Sequence, residues 1–154
     1  MDGGRARADR KRRYAITRGP RVTLDGMDWD ALIAAATAAR ANSYSPYSEF
    51  PVGAAFLMED GSIWAAANIE NGIPALSICA ERNAMAAAAS AGLRRPQAVA
   101  VVTATSPPSR PCGLCRQTLI EFVDDLPILV CNTQGEREEV RLSEIFPQRF
   151  RLEK

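Results

Sequence analysis

The residues with the types and spacing for chemistry are cysteines and one acid. Cys112 and Cys115, in Pro111-Cys112-Gly113-Leu114-Cys115, stand three positions apart where a helix is expected to open. Positions i and i+3 share a helical face, so one metal ion can bridge both thiols. Helix N-termini carry unpaired N–H groups and partial positive charge, which favour the thiolate that a metal requires. Cys79 falls in the first turn of a second expected helix, so two helix starts can deliver three thiolates to one ion. Zinc suits such a sulfur set, and three ligands leave a fourth position for water whose pKa the metal lowers toward about 7. Glu81, two residues after Cys79, supplies a base. A two-residue step in a regular helix turns about 200°. Only an irregular helix start would aim Cys79 and Glu81 at one point.

The remaining composition narrows the chemistry. Histidine is absent from the 154 residues, which excludes a Ser/His/Asp triad, a Cys/His pair and any imidazole ligand from this chain. The four cysteines are too few for a disulfide scaffold at this length and read as thiols or metal ligands. Cys131 ends an apolar run and reads as a small buried thiol, with a role as fourth ligand of a closed, structural zinc site as the competing reading. Cys112 and Cys115 alone would also suit a redox pair.

The net charge of +1 conceals an asymmetry. Eight of the nineteen basic residues fall in positions 1–21, leaving 11 basic against 16 acidic side chains in residues 22–154. We expect a mobile basic tail over 1–21 and a single folded domain over 22–154. An acidic body with 6% aromatic residues is poorly suited to a nucleic-acid strand, so no nucleic-acid partner is expected. No apolar stretch approaches the roughly 20 residues of a membrane span, and the basic start lacks the apolar segment of a secretory signal. A cytoplasmic, membrane-free setting is the expectation.

The elements that must position these residues follow from periodicity. Trp29, Leu32, Ile33 and Ala36 share one helical face after Asp28 as cap. Val52–Met58 and Ile63–Ile69 read as a hairpin around Asp60-Gly61. Residues 78–91 read as a central helix covered on most sides, stopped by Gly92. Ala98–Thr103 and Ile128–Cys131 read as buried strands, with a helix over Cys112–Val123 between them. A strand at Glu138–Leu142 and a short helix at Ser143–Phe146 complete an α/β layered domain of five strands, the first two antiparallel and the later ones open to parallel pairing.

Cys79-Ala80-Glu81-Arg82 followed by Pro111-Cys112-Gly113-Leu114-Cys115-Arg116-Gln117 resembles the zinc-dependent cytidine deaminase family in its three-cysteine form. The likeness extends through Tyr44-Ser45-Pro46-Tyr47-Ser48-Glu49-Phe50-Pro51-Val52-Gly53-Ala54-Ala55, Asn68-Ile69-Glu70-Asn71 and Phe146-Pro147-Gln148-Arg149-Phe150. It implies a three-layer α/β/α cytidine deaminase-like fold with a mixed five-stranded sheet, one zinc per subunit and a homotetramer. It also implies hydrolytic deamination of cytidine and deoxycytidine, with Glu81 moving protons from water to ring N3 and then to the leaving amine. A modified aminopyrimidine nucleoside is the alternative substrate; a nucleic-acid deaminase and a non-catalytic zinc protein are the more distant readings. By resemblance, Cys79, Cys112 and Cys115 hold the metal, and Arg82 donates hydrogen bonds to their thiolates. Phe50 faces the pyrimidine, the Ala80 backbone contacts the base, Asn68 and Glu70 bind the ribose hydroxyls, and Phe150 reaches a neighbour's site. Two positions depart from the family pattern: Gly72-Ile73-Pro74 replaces small residues and a tyrosine, and Arg151 replaces a glycine.

Overall fold

The computed structural model describes residues 27–152, so the expected basic tail over 1–21 lies outside the described residues. Helix α1, Trp29–Arg40, begins where Asp28 accepts the Ala31 N–H at 3.0 Å, as the cap reading requires. The hairpin forms from β1, Gly53–Met58, and β2, Ile63–Ala67, in antiparallel register with Leu57 opposite Ile63. Its turn uses Gly61 at φ 83°, while Asp60 Oδ1 accepts the Ser62 N–H and hydroxyl. A left-handed residue favours glycine there. Strand β2 ends two residues earlier than expected, because Asn68 leaves the ladder and Ile69 pairs with Ile78 instead.

Helix α2, Ala80–Ser90, then leads to β3, Pro96–Thr103, the longest strand. Helix α3, Gly113–Leu119, stops four residues short of the expected Val123. Its end tightens, with the Glu121 and Phe122 N–H groups bonding back three residues to Thr118 and Leu119. Strand β4, Pro127–Asn132, strand β5, Arg137–Arg141, and the single turn α4, Leu142–Ile145, finish the described chain.

The sheet order is β2-β1-β3-β4-β5. Only β3 and β4 run parallel. Strand β5 returns antiparallel, because the short turn after Asn132 cannot cross the sheet. The sheet is mixed and five-stranded, as expected.

Alternation along the inner strands divides the core in two. Phe56, Met58, Val99, Val101, Ile128 and Val130 pack with α2 and α3 on one face. Ala55, Ala98, Ala100, Val102 and Cys131 pack with α1 on the other. The result is three layers, α1 over the sheet over α2 and α3. Alanines on the α1 face bring that helix close. A Cβ on Gly53 would lie 1.9 Å from the Ala36 carbonyl, so glycine is demanded by the approach itself.

Helix α2 corrects one expectation. Ala80, Glu81, Ala84, Met85 and Ala88 are buried, but Ala86 and Ala87 are exposed, so within one chain the helix is covered on one face only. Its apolar outer face is alanine, whose helix propensity explains its presence without any contact. Among the described residues no helix is long and apolar enough to cross a membrane.

Candidate active site

The parallel pair β3–β4 forces a crossover between them, and α3 within it puts Cys112 and Cys115 beside the start of α2. Cys79 is not in the first turn of α2, as expected, but one residue before it. It is the N-cap, with extended backbone at φ −69°, ψ 154°. Cys112 is likewise the N-cap of α3, at φ −68°, ψ 169°. An extended cap residue escapes the helical rotation, which is how Cys79 and Glu81 come to line one cleft although two residues apart. The irregular helix start that the spacing demanded is this cap.

The three Sγ atoms lie within 4.8 Å of one another, with Cys79 to Cys112 at 3.8 Å and Cys112 to Cys115 at 3.5 Å. Sulfurs held about 2.3 Å from a tetrahedral ion lie about 3.8 Å apart. The donor set, its spacing and the lack of a fourth ligand among the described residues fit one zinc with an open position. Cys131 is buried on the α1 side of the sheet, and its thiol points to the Val101 carbonyl. It stays outside the cluster, which settles the fourth-ligand reading against it.

Electrostatics distinguish the sulfurs. The Cys79 thiol is lowered to about 6, first by the hydrogen bond from Cys115, then by Cys112 and the Arg82 charge, against burial. The Cys115 thiol is raised, first because it donates to Cys79, then by burial. A bound divalent cation favours the thiolate form of its sulfur ligands. Glu81 is 4% exposed, and its carboxyl has its own backbone N–H and the Cys115 thiol as hydrogen-bond partners. Burial pushes its carboxyl up to about 7; its own backbone N–H opposes this and the Cys79 charge adds to it. A carboxyl buried beside three thiols is costly unless something else occupies the cleft with it.

The cleft holds about 180 Å³ and runs from Cys79, Glu81 and Cys112 to Phe50, Asn68 and Glu70. Asn68 is the hub of its outer wall. Its Oδ1 accepts the Val52 N–H at 2.8 Å and the Ser43 hydroxyl at 2.6 Å, and its Nδ2 donates to the Phe50 carbonyl at 2.9 Å. Glu70 accepts the Tyr47 N–H at 2.8 Å, the Ser48 N–H at 3.2 Å and the Ser48 hydroxyl. The Ser48 hydroxyl holds its carboxyl below the usual range. Ala80 is fully buried in the first turn of α2, behind the cleft lining. Arg82 is half-buried and makes no hydrogen bond among the described residues, acting on Cys79 through its charge.

Phe150 stands outside this cleft, 69% exposed, and its carbonyl accepts from Gln117 Nε2 at 2.8 Å. Arg151 bonds to the Ile120 carbonyl and to Asp124, and Arg149 also faces Asp124. The tail around Phe150 is therefore clasped to α3 and the turn after it.

Six lining residues escaped the sequence reading as site residues: Ser48, Val52, Val101, Thr103, Ser109 and Arg110. Ser48 stood within a quoted motif, but only the fold shows its bond to Glu70. Arg110 precedes the Pro-Cys pair and is taken up by an ion pair with Glu138. A larger open groove, about 760 Å³, adjoins it along Arg116, Arg137 and Glu136. It contains no thiol or unpaired buried acid.

A family model described as the cytidine and deoxycytidylate deaminase zinc-binding region matches residues 27–130, two-thirds of the chain. The chain belongs to this deaminase family. The cytidine deaminase of Sporosarcina psychrophila is 44% identical over 128 residues, covering 82% of this chain and 94% of its own. That of Halalkalibacterium halodurans is 46% identical, covering 82% and 97%. Among solved structures of the deaminase family, cytidine deaminase from Burkholderia pseudomallei superposes with a TM-score of 0.77 at 42% identity. It covers 80% of this chain and all of that one. The Mycobacterium tuberculosis enzyme gives a TM-score of 0.71 at 38% identity, covering 82% and 99%. The matched span includes all three cysteines and Glu81 and begins after the basic N-terminal segment.

Proposed function

We propose that this chain deaminates cytidine and deoxycytidine by hydrolysis, releasing ammonia and the uracil nucleoside. The observation that carries this reading is the buried Glu81 carboxyl in one cleft with Cys79 and Cys112 of the three-thiol cluster. Zinc held by Cys79, Cys112 and Cys115 supplies a Lewis acid and a water of lowered pKa. Glu81 accepts a proton from the attacking water at a carboxylate oxygen and passes it to N3 as the water oxygen bonds to C4. It then carries the second water proton to the amine as the C4–N bond breaks, leaving the uracil carbonyl and ammonia. A carboxyl raised to about 7 both accepts and gives protons near neutrality, which suits one group serving as base and then acid.

The rest of the cleft orients the nucleoside. Phe50 presents its ring to the pyrimidine, and the Ala80 backbone contacts the base. Glu70, acceptor-only when ionised, receives the sugar hydroxyls, and Asn68 retains one amide hydrogen that no described residue takes. Arg82 offsets charge on the thiolates.

The assembly is a homotetramer in which Phe150 closes a neighbour's cleft. Supporting this, Ile69, Ile73 and Leu76 are 51%, 61% and 58% exposed, the α2 face at Ala86 and Ala87 is bare, and Phe150 is displayed rather than buried. A reducing, cytoplasmic setting suits a site that needs free thiols. The folded, catalytic domain spans residues 22–154, with the basic segment over 1–21 outside it.

The test is ammonia release by zinc-loaded protein on cytidine, deoxycytidine and 5-substituted cytidines, with Glu81→Ala beside it. Turnover of the two unmodified nucleosides, abolished in the variant, is expected. Turnover confined to a 5-substituted nucleoside would overturn the substrate assignment, and silence throughout would overturn the enzymatic one.

A further inference from the structure

We infer that Ser48 is a positioning residue for sugar recognition, locking the Glu70 carboxylate so that its remaining lone pairs select nucleosides bearing sugar hydroxyls. The inference rests on the reading of Glu70 as the sugar anchor.

Glu70 is fixed from both sides. Its own N–H donates to the Tyr44 carbonyl at 2.8 Å, and its neighbour Ile69 is paired with Ile78 in both directions at 3.0 and 2.9 Å. Its carboxylate meets three donors from one turn: the Tyr47 and Ser48 N–H groups on Oε2 and the Ser48 hydroxyl on Oε1. A carboxylate has about four lone-pair directions, so this cradle leaves room for a further donor but none for an acceptor. Ser48 and Glu70 both line the cleft that holds Cys79 and Glu81.

The Ser48 hydroxyl has one proton, and its direction is determined. Oγ accepts the Phe50 N–H at 3.1 Å, which commits the O–H to Glu70. The turn that makes this possible is strained: Glu49 sits at φ 54°, in the left-handed region, with its N–H on the Ser45 carbonyl at 3.0 Å. Non-glycine residues in that region carry a cost and cluster at functional sites. Here the reversed residue places the Ser48 hydroxyl and two successive N–H groups on the same side.

One consequence separates Ser48 from a merely structural residue. Glu70 faces the sugar, whereas the Phe50 N–H on the other side of Ser48 leads to the base. Loss of the hydroxyl acting through Glu70 must therefore harm only nucleosides whose sugars carry a 2′ or 3′ hydroxyl. Acting through Phe50, it would harm every cytosine nucleoside alike.

The experiment is steady-state deamination of cytidine and 2′,3′-dideoxycytidine by the zinc-loaded wild-type protein and by Ser48→Ala, Ser48→Thr and Glu70→Gln. Ser48→Ala is expected to lose about tenfold in kcat/KM on cytidine, carried by KM, and under about twofold on the dideoxy nucleoside. Ser48→Thr, which keeps the hydroxyl, should recover most of the loss. Equal losses on both nucleosides, or no loss on cytidine, would overturn the role of Ser48 while leaving Glu70 as anchor. If Glu70→Gln discriminates no less between the two nucleosides than wild type does, the anchor reading fails and the inference with it.

Discussion

The two ends of the cleft are built by different means. At the metal end, two helix caps and one buried acid converge, and the groups that do chemistry carry few hydrogen bonds of their own. At the sugar end, an irregular turn and the segment after β2 are stitched together by at least six hydrogen bonds on Asn68 and Glu70. In the proposed function the metal end buries its groups with few partners, which leaves them to bind an ion and move a proton. The sugar end satisfies its groups so that what remains free points one way. Reactive groups need perturbed pKa values, and recognition groups need fixed geometry.

The comparison predicts opposite responses to substitution. The largest effect is expected from Cys115→Ser, because a three-ligand site that loses one thiolate loses its metal. Metal analysis after dialysis should find the zinc gone and deamination abolished; a variant that kept stoichiometric zinc would place the ion elsewhere. Glu81→Gln should retain zinc and lose about 10²–10⁴ in turnover, since only the proton shuttle is removed. A rate near that of wild type, measured on the zinc-loaded variant, would end its role as base.

At the sugar end the first loss should be of stability. Asn68→Ala leaves the Val52 N–H and Phe50 carbonyl without their partner and should cost about 2–3 kcal/mol, read from the denaturant midpoint, with zinc content unchanged. An unaltered midpoint would mean that the wall is not the rigid scaffold its bonds suggest. Asp125, remote from both ends, calibrates the comparison. It accepts the Leu126 and Ser143 N–H groups, each at 3.0 Å, and pairs with Arg141 at 2.6 Å. Burial pushes its carboxyl up, but the Ser143 and Arg141 bonds outweigh this and leave it below the usual range. A depressed carboxylate stabilises the fold above its unfolded pKa, and that stability is lost as pH falls through the folded value. Asp125→Ala should therefore cost about 1–2 kcal/mol at neutral pH, discounted for its partial exposure, and progressively less in acid. A cost independent of pH would assign the effect to packing alone.

The metal end was the more legible in the sequence. Cysteine spacing, the absence of histidine and one acid beside Cys79 already named the candidate ligands and base that the fold brings together. What spacing left open was their aim, because helical rotation separates positions 79 and 81. The cap conformation of Cys79 resolved it. At the sugar end, Asn68 and Glu70 came from resemblance, and Ser48 was passed over within a quoted motif. Its bond spans 22 positions and depends on a turn through a left-handed Glu49, which carries no local signal. The overlong α3 and the exposed face of α2 have a common cause. Apolar character tells where a helix can be buried, not where neighbours stop or whether a second chain supplies the cover.

Local chemistry therefore determined, from sequence alone, most of the elements, a set of candidate thiol ligands, a candidate base and the exclusion of imidazole chemistry. These depend on residue type and on spacing along single elements. Tertiary structure alone decided that β5 returns antiparallel, that Cys131 lies across the sheet from the cluster, and that Ser48 faces Glu70. Each of these depends on which face of the sheet or side of the cleft distant segments share, and that is set by packing the whole domain.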